Sequence, residues 1–330
     1  MKQKLLEKKI VAFEVAGSEV RAAIVAKTGR HLRVVDFVAL KRTNVEEDLP
    51  EVETIRQLAQ RLNLAGGRAV FVTPLARAFE LFMDRRKISR LKHYQLLEAV
   101  RWEIEPYTGI SGQNALLGAE RERKPKLRPD EIAPEESDEQ TVTVSAIERN
   151  VYRAARARFK VAGFSLVRIY PPDVSFFMPL HLEAGDAPRA ILEVGEDYSN
   201  FAVLQGSVPE QINTLSISLE TISSHLRGES LVEGLEETLK FTVRQAPPQE
   251  ALVVSGSGAC NEEVLRYISG FCPKGARPLR LSRSAALTDS GGDSAGAVFG
   301  TVVGAGLREV RGGRERLIGI SDREALVPRL

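Results

Sequence analysis

Two stretches constrain this chain more than any others. Residues 11–29 read VAFEVAGSEVRAAIVAKTG, and residues 190–206 read AILEVGEDYSNFAVLQG. Each is an apolar run closing on a glutamate, a turn with glycine, and a second apolar run. Runs rich in valine and isoleucine, split by such a turn, predict a β-hairpin. One hairpin opens each half of a chain of 330 residues, which is long enough for two cores. Internal duplication is the expectation, with the two hairpins in equivalent places.

The rest of the pattern fits α/β halves. IVAFEVAG, EVRAAIVAKTG and HLRVVDFVAL predict an antiparallel meander. Val52, Ile55, Leu58, Ala59 and Leu62 share a helical face, and GGRAVFVTP restarts the sheet. A second region begins near Leu75. There Ser89 is the expected N-cap of a helix placing Leu91, Tyr94, Leu97, Val100 and Ile104 together until Pro106. On that helix Trp102 and Glu103 read as structural anchors. Residues 121–140 hold almost no apolar side chains and predict a solvated loop. TVTVSAI, ERNVYRAARARFKVAGF and SLVRIYP predict strand, helix to Gly163, and strand, with a short helix after Pro171 and Pro172. GDAP, residues 185–188, marks a break. After the second hairpin come the helix LVEGLEETLKFTVRQ, a strand–turn–helix around ALVVSGSGA, and a small-residue helix from Ala297 to Leu307.

Charge and composition exclude several classes. The formal charge of +2 is made of interspersed acids and bases, which argues against nucleic acid. Cys260 and Cys272 stand apart from four scattered histidines, giving neither a disulfide framework nor a zinc cluster, and no metal site is expected. His93 and His225 have no acid or cysteine at ligand spacing and read as surface or core residues. No run approaches eighteen apolar residues. The basic start MKQKLLEKK lacks a signal peptide's apolar segment, so a cytoplasmic protein is expected. The basic turn Arg85, Arg86, Lys87 reads as solvated.

Paired hairpins, each with an acid, resemble the actin-like ATPase superfamily, where turn amides hold phosphates and carboxylates organise magnesium and water. Within it the chain resembles the PilM family of type IV pilus assembly, an FtsA-like branch. The residues carrying the resemblance run in order: EVAGSEVRA (14–22), LLEAVRWEIEPYTGI (96–110), AGFSLVRIYPPDVSF, ILEVGEDYSNFAVLQG, ALVVSGSGA and AVFGTVVGAGLRE. The resemblance implies an actin-like, ribonuclease H-like duplicated fold with two mixed sheets flanked by helices. Residues 1–186 would form the first half, with an inserted subdomain at about 75–163. Residues 187–330 would form the second, with a short insertion at about 207–248 and a reduced fourth subdomain.

It also implies sites. Glu14, Gly17, Ser18, Glu193, Gly195, Ser257 and Gly258 fall where the family holds nucleotide, with no catalytic residue nominated. Lys240, beside Glu236 and Glu237, matches a family lysine but has the spacing of ordinary surface helix charges. Arg77, Phe79 and Leu81 border the groove in which the family docks the cytoplasmic N-terminal tail of a PilN-like inner-membrane protein.

The departures lie in the phosphate motifs. Both family aspartates are glutamates here, Glu14 and Glu193, each one methylene longer, and a turn glycine is Ala16. Magnesium tolerates little change in ligand distance. The expectation is therefore a scaffold peripheral to the inner membrane through its partners, without efficient ATP hydrolysis. ATP and magnesium remain only as weakly held candidates, and homo-oligomers are compatible. A nucleotide-dependent regulatory ATPase of the same machinery is the alternative. Against a sugar or small-molecule kinase on this fold stand the absence of a plausible catalytic aspartate after the first region and the replacement of both phosphate-motif aspartates.

Overall fold

In the computed structural model the described residues are 7–29, 31–45, 47–121, 138–182, 189–206, 208–229, 232–281, 296–313 and 317–321. Most of the loop expected at 121–140, the GDAP break and most of the glycine- and serine-rich stretch before residue 296 lie outside them.

The opening strands form as their alternation predicts. β1 (Lys8–Ala16), β2 (Glu19–Thr28) and β3 (His31–Lys41) make an antiparallel meander. α1 (Val52–Arg61) buries Ile55, Leu58 and Ala59, and β4 (Gly67–Val72) returns parallel to β1. The chain then leaves this sheet for a smaller one. β5 (Arg77–Asp84), α2 (Arg85–Ile88), α3 (His93–Arg101), α4 (Glu105–Thr108), β6 (Ala115–Arg121) and β7 (Glu139–Glu148) follow. Their strands form an antiparallel sheet in the order β5-β7-β6. Leu81, Leu117, Val142 and Val144 face Leu96, Leu97 and Val100 of α3 in a separate core.

α5 (Arg149–Val161) and β8 (Phe164–Tyr170) return to the first sheet. Tyr152, Ala155 and Phe159 pack with Phe13 and Phe71, their apolar face closing the first core. The excursion therefore spans β5 to β7, and α5 falls outside it, although the sequence reading ran it to residue 163. Two 3-10 turns, Pro172–Val174 and Met178–Leu182, stand where one short helix was expected.

The second half repeats the first. β9 (Arg189–Val194), β10 (Ser199–Gln205) and β11 (Val208–Leu215) form the meander; α6 (Leu219–Leu226) and α7 (Leu235–Val243) follow. Then come β12 (Leu252–Ser255), α8 (Glu262–Ser269), β13 (Ala276–Pro278) and α9 (Gly300–Arg311). The two five-stranded sheets have the orders β3-β2-β1-β4-β8 and β11-β10-β9-β12-β13, each with antiparallel and parallel pairs in the same sequence. Because β11 hydrogen-bonds along β10, the short insertion expected from 207 loses its first stretch to the sheet.

α9 is buried from Gly300 to Val310 and packs on β1, β2 and β4 on one side and the 178–182 turn on another. Its small residues are a packing requirement: a Cβ on Gly304 would lie 1.9 Å from the Ser175 carbonyl oxygen. Its buried Glu309 is held by Arg168 at 2.9 Å and Arg68 at 3.1 Å. A buried carboxylate needs such partners.

The α3 region departs from its sequence reading. Ser89 ends α2, which Asp84 caps through the Arg86 N–H at 2.8 Å, and Gln95 reaches back to the Lys92 N–H at the start of α3. Tyr94 and Trp102 are exposed, Trp102 at 66%. Residues i, i+4 and i+8 share one helical face; with Leu96, Leu97 and Val100 pointing to the core, Tyr94 and Trp102 point out. Trp102 is therefore no anchor.

Candidate functional site

The hairpin register brings the two glutamates into equivalent places. Glu14 sits opposite Arg21 on β2 and beside Val72 on β4; Glu193 sits opposite Asn200 on β10 and beside Ser255 on β12. The turns after them face each other across a cleft of about 230 Å³, lined in part by Gly17, Arg21, Arg42, Gly195, Tyr198 and Ser257. Six of the seven expected nucleotide-site residues are thus at this cleft or its edge. Gly258 is not, since it turns inward against the Val194 side chain. Lys240 is also absent from the cleft: it pairs with Glu236 and lies over the Phe271 ring.

Both glutamates line the cleft and both are buried. Glu193 accepts from Asn200 Nδ2 at 2.9 Å through one oxygen and from the Thr301 hydroxyl through the other. Burial raises its pKa, partly offset by those donors and by Arg21. Glu14 receives the Val302 backbone N–H, while its Oε2 has no partner among the described residues. Burial, against the opposing pull of Arg21, pushes Glu14 up to about 8. In the chain without ligand it therefore holds a proton at neutral pH.

The first turn is filled by the protein itself. The Ser18 N–H donates to Glu196 Oε2 at 2.8 Å, and the Ser18 hydroxyl lies 3.4 Å from Oε1. Gly17, at φ +51°, makes this approach: a Cβ there would sit 1.9 Å from Glu196 Oε2. Arg42 supports the turn through the Gly17 carbonyl at 2.9 Å. Arg21 crosses the cleft, giving Nη1 to the Val298 carbonyl at 2.7 Å and Nη2 to Ser257 Oγ at 3.0 Å. In this arrangement the amide of the first turn and the Arg21 guanidinium are both engaged by the protein's own groups.

Sequence reading missed Arg21, Arg42, Glu196, Asn200, Thr301 and Asp173. Arg21 was within reach of it, because a two-residue turn between Ala16 and Glu19 sets Glu14 against Arg21. Asn200 was too, as the residue opposite Glu193 in the second hairpin, whereas Arg42, Glu196, Thr301 and Asp173 come from turns or from elsewhere in the chain.

The expected partner residues lie on β5, the edge strand of the small sheet. Arg77 is exposed, Phe79 stacks on Tyr107 with centroids 5.1 Å apart, and Leu81 is buried under α3. On the strand's outer side, Ala78, Phe79 and Glu80 border a groove of about 230 Å³ shared with Asp173, Val174 and the β11 residues Ile212 and Thr214. The Ala78 N–H donates to Asp173 Oδ2 at 3.3 Å. Burial pushes Asp173 up to about 7, opposed by that N–H.

No family model matches the sequence, and no curated protein matches it. Among solved structures, a chain of the PilM-PilN type IV pilus biogenesis complex matches with a TM-score of 0.69 at 15% identity, over 91% of this chain and 98% of that one. Ethanolamine utilization protein EutJ from Carboxydothermus hydrogenoformans matches at 0.48 and 11% identity, over 92% and 91% of the two chains. The cytoplasmic domain of EpsL, an inner membrane component of the type II secretion system of Vibrio cholerae, matches at 0.45 and 10%, over 90% and 93%. These two are too distant to carry an argument. The first likeness establishes the fold: two mixed sheets of equal strand order flanked by helices, an actin-like duplicated architecture shared with a chain of that pilus complex.

Proposed function

We propose that the chain is a scaffold on the cytoplasmic side of a type IV pilus or related inner-membrane platform. It docks the cytoplasmic N-terminal tail of a PilN-like single-pass protein and does not hydrolyse ATP efficiently. The likeness to a chain of the PilM-PilN complex motivates the machine and the partner. The observation that carries docking is β5 itself: an edge strand bordering an open groove. Ala78 directs its N–H away from β7, and by alternation Glu80 and Phe82 do the same. An extended tail adds to such an edge through its main chain and places alternate side chains in pockets. Arg77 would meet an acidic tail residue and Phe79 an apolar one, with Leu81 supporting the strand from below. Among the described residues no helix is long and apolar enough to cross a membrane, so placement at the membrane would come through the partner.

The test is an anisotropy titration of a labelled tail from the bitopic partner. Arg77→Glu with Phe79→Ala is expected to weaken binding about tenfold or more. Binding that survives both changes puts the site elsewhere, and no binding under any nucleotide condition leaves only the fold. The regulatory ATPase is the second reading, favoured by a cleft that keeps Gly17, Ser257 and two arginines. Micromolar magnesium-dependent ATP binding in calorimetry, with turnover that falls in Glu193→Ala, would put it first.

A further inference from the structure

We propose that Glu196 and Arg21 form an internal latch that closes the cleft between the two halves, so that closure of this chain needs no nucleotide. In a hinged two-half molecule, a bridging ligand stabilises the closed state by contacting both sides at once. Here the protein's own side chains make those contacts in both directions. From the second half, the Glu196 carboxylate reaches the Ser18 N–H and hydroxyl of the first turn. From the first half, Arg21 reaches Ser257 Oγ and the Val298 carbonyl. An anionic group on a turn amide, and a guanidinium satisfied by fixed oxygens, are the stronger kind of hydrogen bond. The two sides of the latch differ in burial. Glu196 meets water, whereas Arg21 is 4% exposed and its cross-cleft contacts leave little room for a solvent-separated alternative.

The latch reaches beyond the cleft. The groove beside β5 is built from the inserted sheet and from Ile212 and Thr214 of the second half, so its width follows the closure that the latch sets. The proposal concerns the isolated chain and stands whether or not a tail binds there.

Amide hydrogen exchange on the purified full chain tests it. In Glu196→Ala, a change at the solvent-facing side of the cleft, the Ser18 amide is expected to exchange about tenfold faster while that of Phe13, inside β1, is unchanged. Arg21→Met, checked for a folded circular dichroism spectrum, is expected to separate spin labels placed on the two halves. Glu196→Ala is expected to do so to a smaller degree. Magnesium ATP is expected to change neither readout in the unsubstituted chain. Equal Ser18 exchange in Glu196→Ala and the parent overturns the proposal. So does closure of the parent on adding nucleotide.

Discussion

Arg21 stands directly across the β1–β2 ladder from Glu14, yet its guanidinium spends its donors elsewhere, on Glu19, Ser257 and the Val298 carbonyl. Glu14 is left with an Oε2 that has no hydrogen-bond partner among the described residues. A carboxyl in that position is held as the neutral acid by desolvation, despite the nearby positive charge.

This sets a pH dependence. The pKa of Glu14 is about 8 in the folded chain against an ordinary 4.5. Between those values the folded chain holds a proton that the unfolded chain has lost. Its contribution to stability is therefore complete below the ordinary value and is lost as pH rises towards about 8. Glu14→Gln keeps the shape and removes the titration. Urea unfolding at about pH 5 and about pH 9 is expected to show a difference between variant and parent that grows with pH, reaching about 1–3 kcal/mol in the variant's favour. A difference that is flat with pH would contradict the buried neutral acid.

Neighbouring β5 positions are expected to separate binding from stability. Leu81→Ala removes a side chain from the core of the inserted sheet and is expected to cost about 2–4 kcal/mol of that region's stability. Arg77→Glu is exposed and is expected to stay within about 0.5 kcal/mol of the parent while changing tail affinity. Denaturant unfolding and the anisotropy titration, run on the same preparations, check the division.

Gly304→Ala places a methyl against the Ser175 carbonyl, and helix propensity alone would make it favourable. The backbone approach is expected to win, lowering stability by about 1–3 kcal/mol. A rise in Tm would mean that α9 and the 172–182 turns can move apart at little cost.

Trp102 is the chain's one tryptophan and points to solvent. Its fluorescence is expected to be red-shifted and fully open to acrylamide in the folded chain, and Trp102→Ala to change stability by less than about 0.5 kcal/mol. Quenching on addition of the tail would place the bound partner across the outer face of α3.

Much of the architecture was decided locally. Alternation and glycine turns in residues 8–41 and 189–215 define both meanders, and a two-residue turn at Gly17 and Ser18 already sets Glu14 opposite Arg21. The run of small residues in α9 foretold close packing because a glycine's missing Cβ is a property of the residue wherever it is placed. What crosses the cleft was decided only by tertiary structure. Glu196 meets Ser18, and Arg21 meets Ser257, over long sequence separations. No periodicity records such meetings, since each partner alone reads as an ordinary exposed or hairpin residue. The same holds for α5, whose amphipathic face was visible while its destination was not, and for Trp102, whose side of α3 depends on where Leu96, Leu97 and Val100 find their core. A side chain's periodicity tells which residues move together; only the folded backbone supplies the donors, acceptors and apolar surface that decide what they move against.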